Sequence, residues 1–332
     1  LVIAAAGLDW LIGDPRWSPH PVVWMGHGIR FLRQRMEQWA GDRPRELRLS
    51  GGLITTVLVL TSVAAGWLVE RLWLQSNGLW QWAAGLMMVV ALASALAARS
   101  LHDGVMAVIK ALPENGDQEP TFARERLSWI VGRETKQLSR EEILRAAAET
   151  ASENAVDGIF APLFWMLVGV VLWRAGWLQG PGPLALAWGF KASSTLDSML
   201  GYRRGRLRWL GTAGARLDDA LTWLPCRLVM VTLPLISRSW GVWPSLVQAA
   251  ERDGSLDPSP NAGRSEAIYA HCAEVQLGGS NRYGDTWIEK PLLKAGGTEA
   301  DAHGVRTILS LSARLEWMWL VAAGGLSLLT KQ

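Results

Sequence analysis

Cysteine, tyrosine and phenylalanine are scarce in this chain, at two, three and five among 332 residues. Cys226 and Cys272 lie far apart and without CxxC or metal-ligand spacing, which excludes a disulfide framework. The chain also lacks a G-x-x-x-x-G-K-[ST] loop and a G-x-G-x-x-G turn, so any nucleotide site has to be assembled from other residues. No internal repeat or low-complexity tract is visible. The apolar start at Leu1 has no basic n-region and no A-x-A site, so no cleaved signal peptide is expected, and a first residue other than Met suggests a trimmed start.

Tryptophan, by contrast, is abundant, with 20 residues. Trp67, Trp73, Trp80, Trp82, Trp165, Trp173 and Trp177 fall at the ends of apolar segments, as the amphipathic belt of a membrane interface requires. The mean hydropathy of +0.12 is ordinary, but the apolar residues are bunched. Crossing the hydrocarbon core takes roughly 20 residues. Gly51 to Leu74, Gly78 to Ala98, Ile159 to Gly176 and Ile308 to Leu329 are long enough or nearly so. Leu184 to Leu200 and Ala220 to Ile236 are weaker, because Lys191, Asp197 and Arg227 interrupt them; they span, re-enter or line a cavity. The chain therefore reads as an all-α, polytopic membrane protein with helical polar insertions, a single domain over 1–332 with cytoplasmic polar regions at about 99–158 and 248–306.

Arginine placement sets the orientation. Arg30, Arg33, Arg35, Arg43, Arg45 and Arg48 precede the first strong span, and Arg99, Arg124, Arg126, Arg133, Lys136, Arg140 and Arg145 follow the second. A third group, Arg203, Arg204, Arg206, Arg208 and Arg216, contains no acid. By the positive-inside rule all three face the cytoplasm, which requires Ile159 to Leu200 to go out and return through Gly180-Pro181-Gly182-Pro183. A single crossing after Asp219 would then put Asn281 and Arg282 outside. The expectation is that Ala220 to Val247 turns back, at Pro234 or at Trp240-Gly241-Val242-Trp243-Pro244.

Within the first polar region, Glu141 to Ala151 is rich in helix formers and Ser139 stands where an N-cap belongs. The second, Gln248 to Val305, has the Gly, Pro, Asn and Asp content of loops around short helices. The helix from Ser139 leads into Glu149-Thr150-Ala151-Ser152-Glu153-Asn154-Ala155-Val156-Asp157-Gly158 and on into apolar sequence. In a regular helix Glu149, Glu153 and Asp157 stack on one face and repel one another, so a cation belongs there. Charge at the mouth of a membrane-length segment is costly unless paired. Arg145, one turn earlier, is the simple structural partner.

Other polar strings sit at the ends of apolar segments: Gly13-Asp14-Pro15 with His20-Pro21, Thr195-Leu196-Asp197-Ser198-Met199-Leu200-Gly201-Tyr202, Ala215-Arg216-Leu217-Asp218-Asp219, Pro260-Asn261-Ala262-Gly263 and Gly278-Gly279-Ser280-Asn281-Arg282-Tyr283-Gly284. With Pro21-Val22-Val23-Trp24-Met25-Gly26 and Ile130-Val131-Gly132-Arg133-Glu134-Thr135, their order and spacing from Leu8 to about Gly284 closely resemble the CobD/CbiB family of cobalamin biosynthesis, the adenosylcobinamide-phosphate synthases. Ser194 stands where many members have Asn, and Glu134 where Asp is common.

The resemblance implies an ATP-dependent ligase of the bacterial cytoplasmic membrane. It joins a propionate of adenosylcobyric acid, the corrinoid substrate, to the amine of aminopropanol or its phosphate, with Mg²⁺. A carboxylate and an amine do not condense at neutral pH without activation, which an acyl phosphate supplies; catalysis is then mostly positioning and charge neutralisation. Glu153, Asp157, Asp218 and Asp219 are the implied Mg²⁺ and catalytic carboxylates, with Asp197. Asp14, Asn154, Lys191, Arg203, Asn261, Arg264, Asn281 and Arg282 are the implied nucleotide and anion contacts, arginine being suited to bidentate capture. His20 is the histidine best placed as a base.

Each of these has a structural alternative. Glu153, Asn154 and Asp157 also suit a helix cap or interhelical polar network, and Asp218 and Asp219 the positive end of a helix dipole. Asp197 suits an ion pair with Lys191, Asp14 a turn, and the 278–284 string, whose backbone N–H groups could cradle an anion, a merely flexible loop. The lipid bilayer is the further partner and nucleic acid is not; a homo-oligomer and other cobalamin-pathway enzymes stay open. An AmpE-like membrane sensor and a transporter are the rival classes, the second disfavoured because the acids gather at segment ends.

Overall fold

Proline marks several helix starts in this chain. Pro21, Pro44 and Pro183 each sit in a first turn, where the missing N–H has no intrahelical partner to lose. In chain order the helices are α1 (Val2–Ile12), α2 (Pro21–Ala40), α3 (Pro44–Gln75), α4 (Leu79–Ala93), α5 (Ala98–Lys110), α6 (Thr121–Ser128), α7 (Arg140–Ala155), α8 (Ala161–Arg174), α9 (Pro183–Leu200), α10 (Leu207–Leu210), α11 (Thr212–Ser237), α12 (Trp243–Gly254), α13 (Ala262–Ala273) and α14 (Ala302–Leu329). A π-turn, Val156–Phe160, joins α7 to α8. The strands β1 (Leu277–Tyr283) and β2 (Thr286–Leu293) form an antiparallel hairpin. This computed structural model describes residues 1–14, 20–113, 118–237, 240–283 and 286–329, with side chains except at 240, 282–283, 286–288 and 326–329. Helix makes up 76% of the described structure, with one short hairpin as its sheet, and the class is all-α.

Among the described residues three helices are long and apolar enough to cross a membrane: Pro44–Gln75, the continuous Arg140–Arg174, and Thr212–Ser237. A fourth arises if α4 and α5, bent by 40° at their junction, act as one. The expected span at Gly51 to Leu74 falls inside the first of these, Ile159 to Gly176 lies in the second except for its last two residues, and Gly78 to Ala98 covers α4 and ends at the start of α5. The expected span at Ile308 to Leu329 does not join them. Its helix carries Arg314 and Glu316, and Glu316 is fully buried within the protein. Ala220 to Ile236, read as weak, lies in a full-length candidate, and α11 runs through Pro234 without turning back.

The chain divides into two compact units, residues 1–97 with 157–222, and 98–156 with 223–332. The first is organised on α9, which packs on α3 and α8. Gly66 makes the approach possible, since a Cβ there would lie 2.7 Å from Ala185 Cα; at Gly169 a Cβ would strike the backbone of Gly182 and Pro183. The fully buried Glu70 of α3 caps α9 from outside that helix. Its Oε1 accepts from the N–H groups of Leu184 and Ala185 at 2.7 and 2.9 Å, its Oε2 from Gly182 at 2.9 Å. Beside it, Arg71 donates to Gln179 Oε1 at 2.9 Å and to the Leu178 carbonyl. Three orphan donors of a helix start are thus satisfied by one carboxylate. Apolar packing of Ile29, Ile54, Leu58, Leu196 and Leu210 closes the other end of the unit.

In the second unit α7 begins as its sequence indicates. Ser139 is the N-cap, its Oγ accepting from Glu142 N at 3.2 Å while Glu142 Oε2 accepts from Ser139 N at 2.7 Å. The helix packs against α14, α5 and α13. The 278–283 string is a strand, not the loop expected from its glycines. Asn281 pairs with Ile288, and a bulge between Leu277 and Gly279 uses Gly278 and Gly279 at φ 83° and 87°. The regular helix assumed for Glu149, Glu153 and Asp157 also ends early, at Ala155, where the wider π-turn takes over.

Candidate functional site

In the first unit the polar motifs converge on Lys191. This half-buried residue of α9 lies in the field of Asp157, Asp14, Asp9 and Asp218. Asp218, near the start of α11, is surrounded in turn by Asp157, Asp197, Asp219 and Lys191, and Asp219 has Arg203 as its cationic neighbour. Asp14 Oδ1 is 3.0 Å from His20 Nε2. Asp218 is only 9% exposed, and its Oδ1 has no hydrogen-bond partner among the described residues. Several carboxylates therefore share one ammonium, and the buried Asp218 retains an unused acceptor. Such a group holds together through additional positive charge or through shared protons.

The second unit contains a separate network. Glu149 Oε2 accepts from Arg133 Nη1 at 2.7 Å, and Glu149 Oε1 accepts from Gly278 N at 3.0 Å, with Arg145 Nε at 3.9 Å. The same Arg133 Nη1 donates to Asn281 Oδ1 at 2.5 Å. Nearby, Lys290 Nζ is 3.2 Å from the buried Glu266 Oε1. Burial raises the Glu266 carboxyl well above the usual range, against the pull of Lys290. Burial also works against the Lys290 charge, but Glu266, Glu153, Glu149 and Asp257 outweigh it and raise the ammonium above the ordinary lysine value.

The expected site residues are thus divided between the units. Asp14, Asp157, Lys191, Asp197, Arg203, Asp218 and Asp219 belong to the first, Glu153, Asn154, Asn261, Arg264, Asn281 and Arg282 to the second. The cation expected beside Glu149 is present as Arg133 and Arg145, so this acid is a structural ion-pair member, while Asp157 looks to Lys191. Arg264 is held bidentate by Glu251 at 2.7 and 2.8 Å, and Asn261 Oδ1 accepts from Arg227 Nη1 at 2.6 Å. Arg282 lies on β1, its side chain outside the described residues. No group of three or more His, Cys, Asp and Glu is disposed to hold a metal directly among the described residues.

Sequence reading missed Asp9, Glu70, Glu266 and Lys290. Glu70 had a usable signal, a carboxylate inside a membrane-length helix. The pairing of Glu266 with Lys290 had none, since it depends on the hairpin.

The order of the motifs and their gathering about Lys191 and Glu149 can now be set beside known proteins. The family model described as CobD/Cbib protein matches residues 2–312. The chain belongs to the CobD/CbiB family. A cobalamin biosynthesis protein CobD of Synechocystis sp. is 41% identical over 296 residues, covering 88% of this chain and 81% of the relative. A cobalamin biosynthesis protein CbiB of Salmonella typhimurium is 36% identical over 326 residues, 97% of this chain and 93% of its own. No solved structure matches the chain. The CobD/CbiB match spans both units, so the Lys191 and Glu149 clusters both lie within the family region.

Proposed function

We propose that the chain acts in cobalamin biosynthesis as an ATP- and Mg²⁺-dependent ligase, joining a carboxylate of adenosylcobyric acid to the amine of aminopropanol or its phosphate. The observation that carries this reading is the Lys191 cluster: an ammonium among Asp14, Asp157 and Asp218, in a chain whose relatives are named cobalamin biosynthesis proteins. Amide formation from a carboxylate needs activation and neutralisation of the charge that develops. Lys191 supplies a positive charge for a phosphate or propionate oxygen. Asp218, with its unused Oδ1, and Asp157 supply oxygen ligands.

Mg²⁺ fits this residue set as a nucleotide-borne ion. It requires one or two protein carboxylates when phosphate oxygens and water complete its shell, not an all-protein cage. Asp157 and Asp218 would hold it, and it would neutralise phosphate charge. Arg203, beside Asp219, adds a second cation for the anionic substrates.

The test is direct. Purified protein in lipid nanodiscs is incubated with adenosylcobyric acid, ATP, Mg²⁺ and aminopropanol or its phosphate, and the corrinoid product is weighed by mass spectrometry. The reading predicts an amide product and ATP turnover that requires the corrinoid. Absence of both, with a correctly folded protein, would sink it and favour a membrane sensor.

A further inference from the structure

We infer that the corner between α2 and α3, together with the 202–209 segment, is a binding surface for the headgroups of anionic phospholipids. The outward face of α2 carries Trp24, Phe31 and Trp39, which are 69%, 60% and 59% exposed, and their spacing of seven and eight residues sets them on one helical stripe. Arg35 lies on the same stripe, its guanidinium 5.4 Å from the Phe31 ring centre, and Arg43 is 5.9 Å from that of Trp39. Exposed large aromatics beside arginines suit the headgroup level of a membrane, where tryptophan is enriched and anionic lipids attract basic side chains.

The 202–209 segment is brought to the same corner by two contacts. Arg206 Nε meets Asp42 Oδ1 at 2.6 Å, and Arg48 and Arg208 lie 4.4 and 5.0 Å from the ring centre of Trp209. Arg204 lies over Tyr202 at 4.9 Å. The carboxylates of the corner are already engaged: Glu37 by Arg33, Asp42 by Arg206 and Glu46 by Arg43. Arg35, Arg45, Arg48 and Arg208 are exposed and have no carboxylate partner among the described residues. The surface thus has a surplus of guanidinium groups beside amphipathic aromatics. It adjoins Leu49 and Leu53, 69% and 54% exposed, at the start of a membrane-length helix. Guanidinium forks match phosphate oxygens, the aromatics match the depth of the headgroups, and the exposed leucines match acyl chains. Those three requirements together select a phospholipid of negative charge, not a free anion.

Native mass spectrometry of the full chain released from mixed micelles would count retained phosphatidylglycerol against phosphatidylcholine. The expected result is a preference for phosphatidylglycerol of about tenfold that falls to near parity in R35Q/R45Q/R48Q/R208Q, which leaves the ion pairs of the corner intact. The matched R35K/R45K/R48K/R208K chain keeps the charge and should keep most of the preference, which separates lost headgroup attraction from lost folding. Equal retention of the two lipids by the native chain would overturn the proposal, as would an unchanged preference in the glutamine variant. Displacement of phosphatidylglycerol by millimolar inorganic phosphate would overturn it too, by making the surface a site for free phosphate.

Discussion

Arg133 and Glu149, sixteen residues apart, meet at 2.7 Å with side chains 7% and 6% exposed, and Asn281 Oδ1 shares the same guanidinium nitrogen. Two motifs 148 residues apart in sequence are joined by that nitrogen. The pair fixes the start of β1 against α7, because Glu149 also accepts from Gly278 N.

Breaking it leaves a buried charge unpaired. Glu149→Gln is expected to cost about 3 to 5 kcal/mol, the range for removal of one partner from a buried ion pair. The Arg133→Met/Glu149→Leu double variant should recover a large part of that loss. Thermal unfolding in detergent checks both. A Glu149→Gln protein as stable as the parent would mean that the pair contributes nothing to holding the hairpin.

Asp157 is expected to act in the reaction. Asp157→Asn should lower amide formation at least about a hundredfold, the scale of losing one charge-stabilising group, with the Tm in detergent little changed. Lys191→Gln should lower turnover similarly and raise the KM of an anionic substrate. Near-normal rates in both variants would return the Lys191 cluster to a purely structural role.

Glu70 offers a cleaner test of architecture. Each buried N–H left without a partner costs about 1 to 3 kcal/mol. Glu70→Gln keeps one acceptor oxygen for Leu184 and Ala185 and loses the bond to Gly182, whereas Glu70→Ala orphans all three donors. The expected order of Tm is parent, then Gln, then Ala. An alanine variant no less stable than the glutamine one would refute the cap.

How far the sequence discloses this molecule depends on the reach of each interaction. The start of α7 is legible at Ser139 because its cap is made three residues away, and α3 because its apolar run is contiguous. The hairpin is not: the glycines that signal a loop at Gly278 and Gly279 serve a bulge, and pairing with Thr286–Leu293 has no local mark. Asp157 could be nominated from its place at a segment end, and Lys191 as a charge that interrupts an apolar segment. That Asp157 comes into the field of Lys191 depends on how α9 packs on α3 and α8, directed by Gly66, Gly169 and Glu70, none of which belongs to a recognised motif.

The Asp253 carboxylate should control the acid limb of stability. Burial pushes its pKa up, but the hydrogen bond from His271 Nε2 at 2.8 Å and that from Lys294 N at 3.1 Å outweigh this and hold it below the ordinary aspartate value. A depressed folded-state pKa contributes stability above the unfolded value of about 3.9, and this contribution is lost as pH falls through the folded value. Between pH 6 and pH 3 the parent is expected to lose more Tm than Asp253→Asn, which lacks the titrating group. Parallel loss in the two proteins would exclude Asp253 as a cause.

Topology gives the last test, and it turns on α11. By length and composition this helix can cross a membrane, but its second half is wrapped by polar sequence. Arg227, near its middle, donates to Asn261 Oδ1 at 2.6 Å and to the Pro260 carbonyl at 2.8 Å; Trp243 Nε1 donates to the Val231 carbonyl at 2.7 Å. After Ser237 the chain therefore doubles back to the level of Arg227. A loop such as 259–261 is excluded from lipid-exposed hydrocarbon, because its backbone groups would find no water. We expect α11 not to carry the chain across as a simple lipid-facing span, so that the exposed positions Arg206 and Ser255 lie on one side, the cytoplasmic one by the arginine rule. Single Arg206→Cys and Ser255→Cys chains, with Cys226 and Cys272 buried and silent, would be treated with an impermeant thiol reagent on intact cells and on inverted vesicles. Both should react only in inverted vesicles. Labelling of the two from opposite sides would make α11 a true span and move the hairpin across the membrane from Arg206.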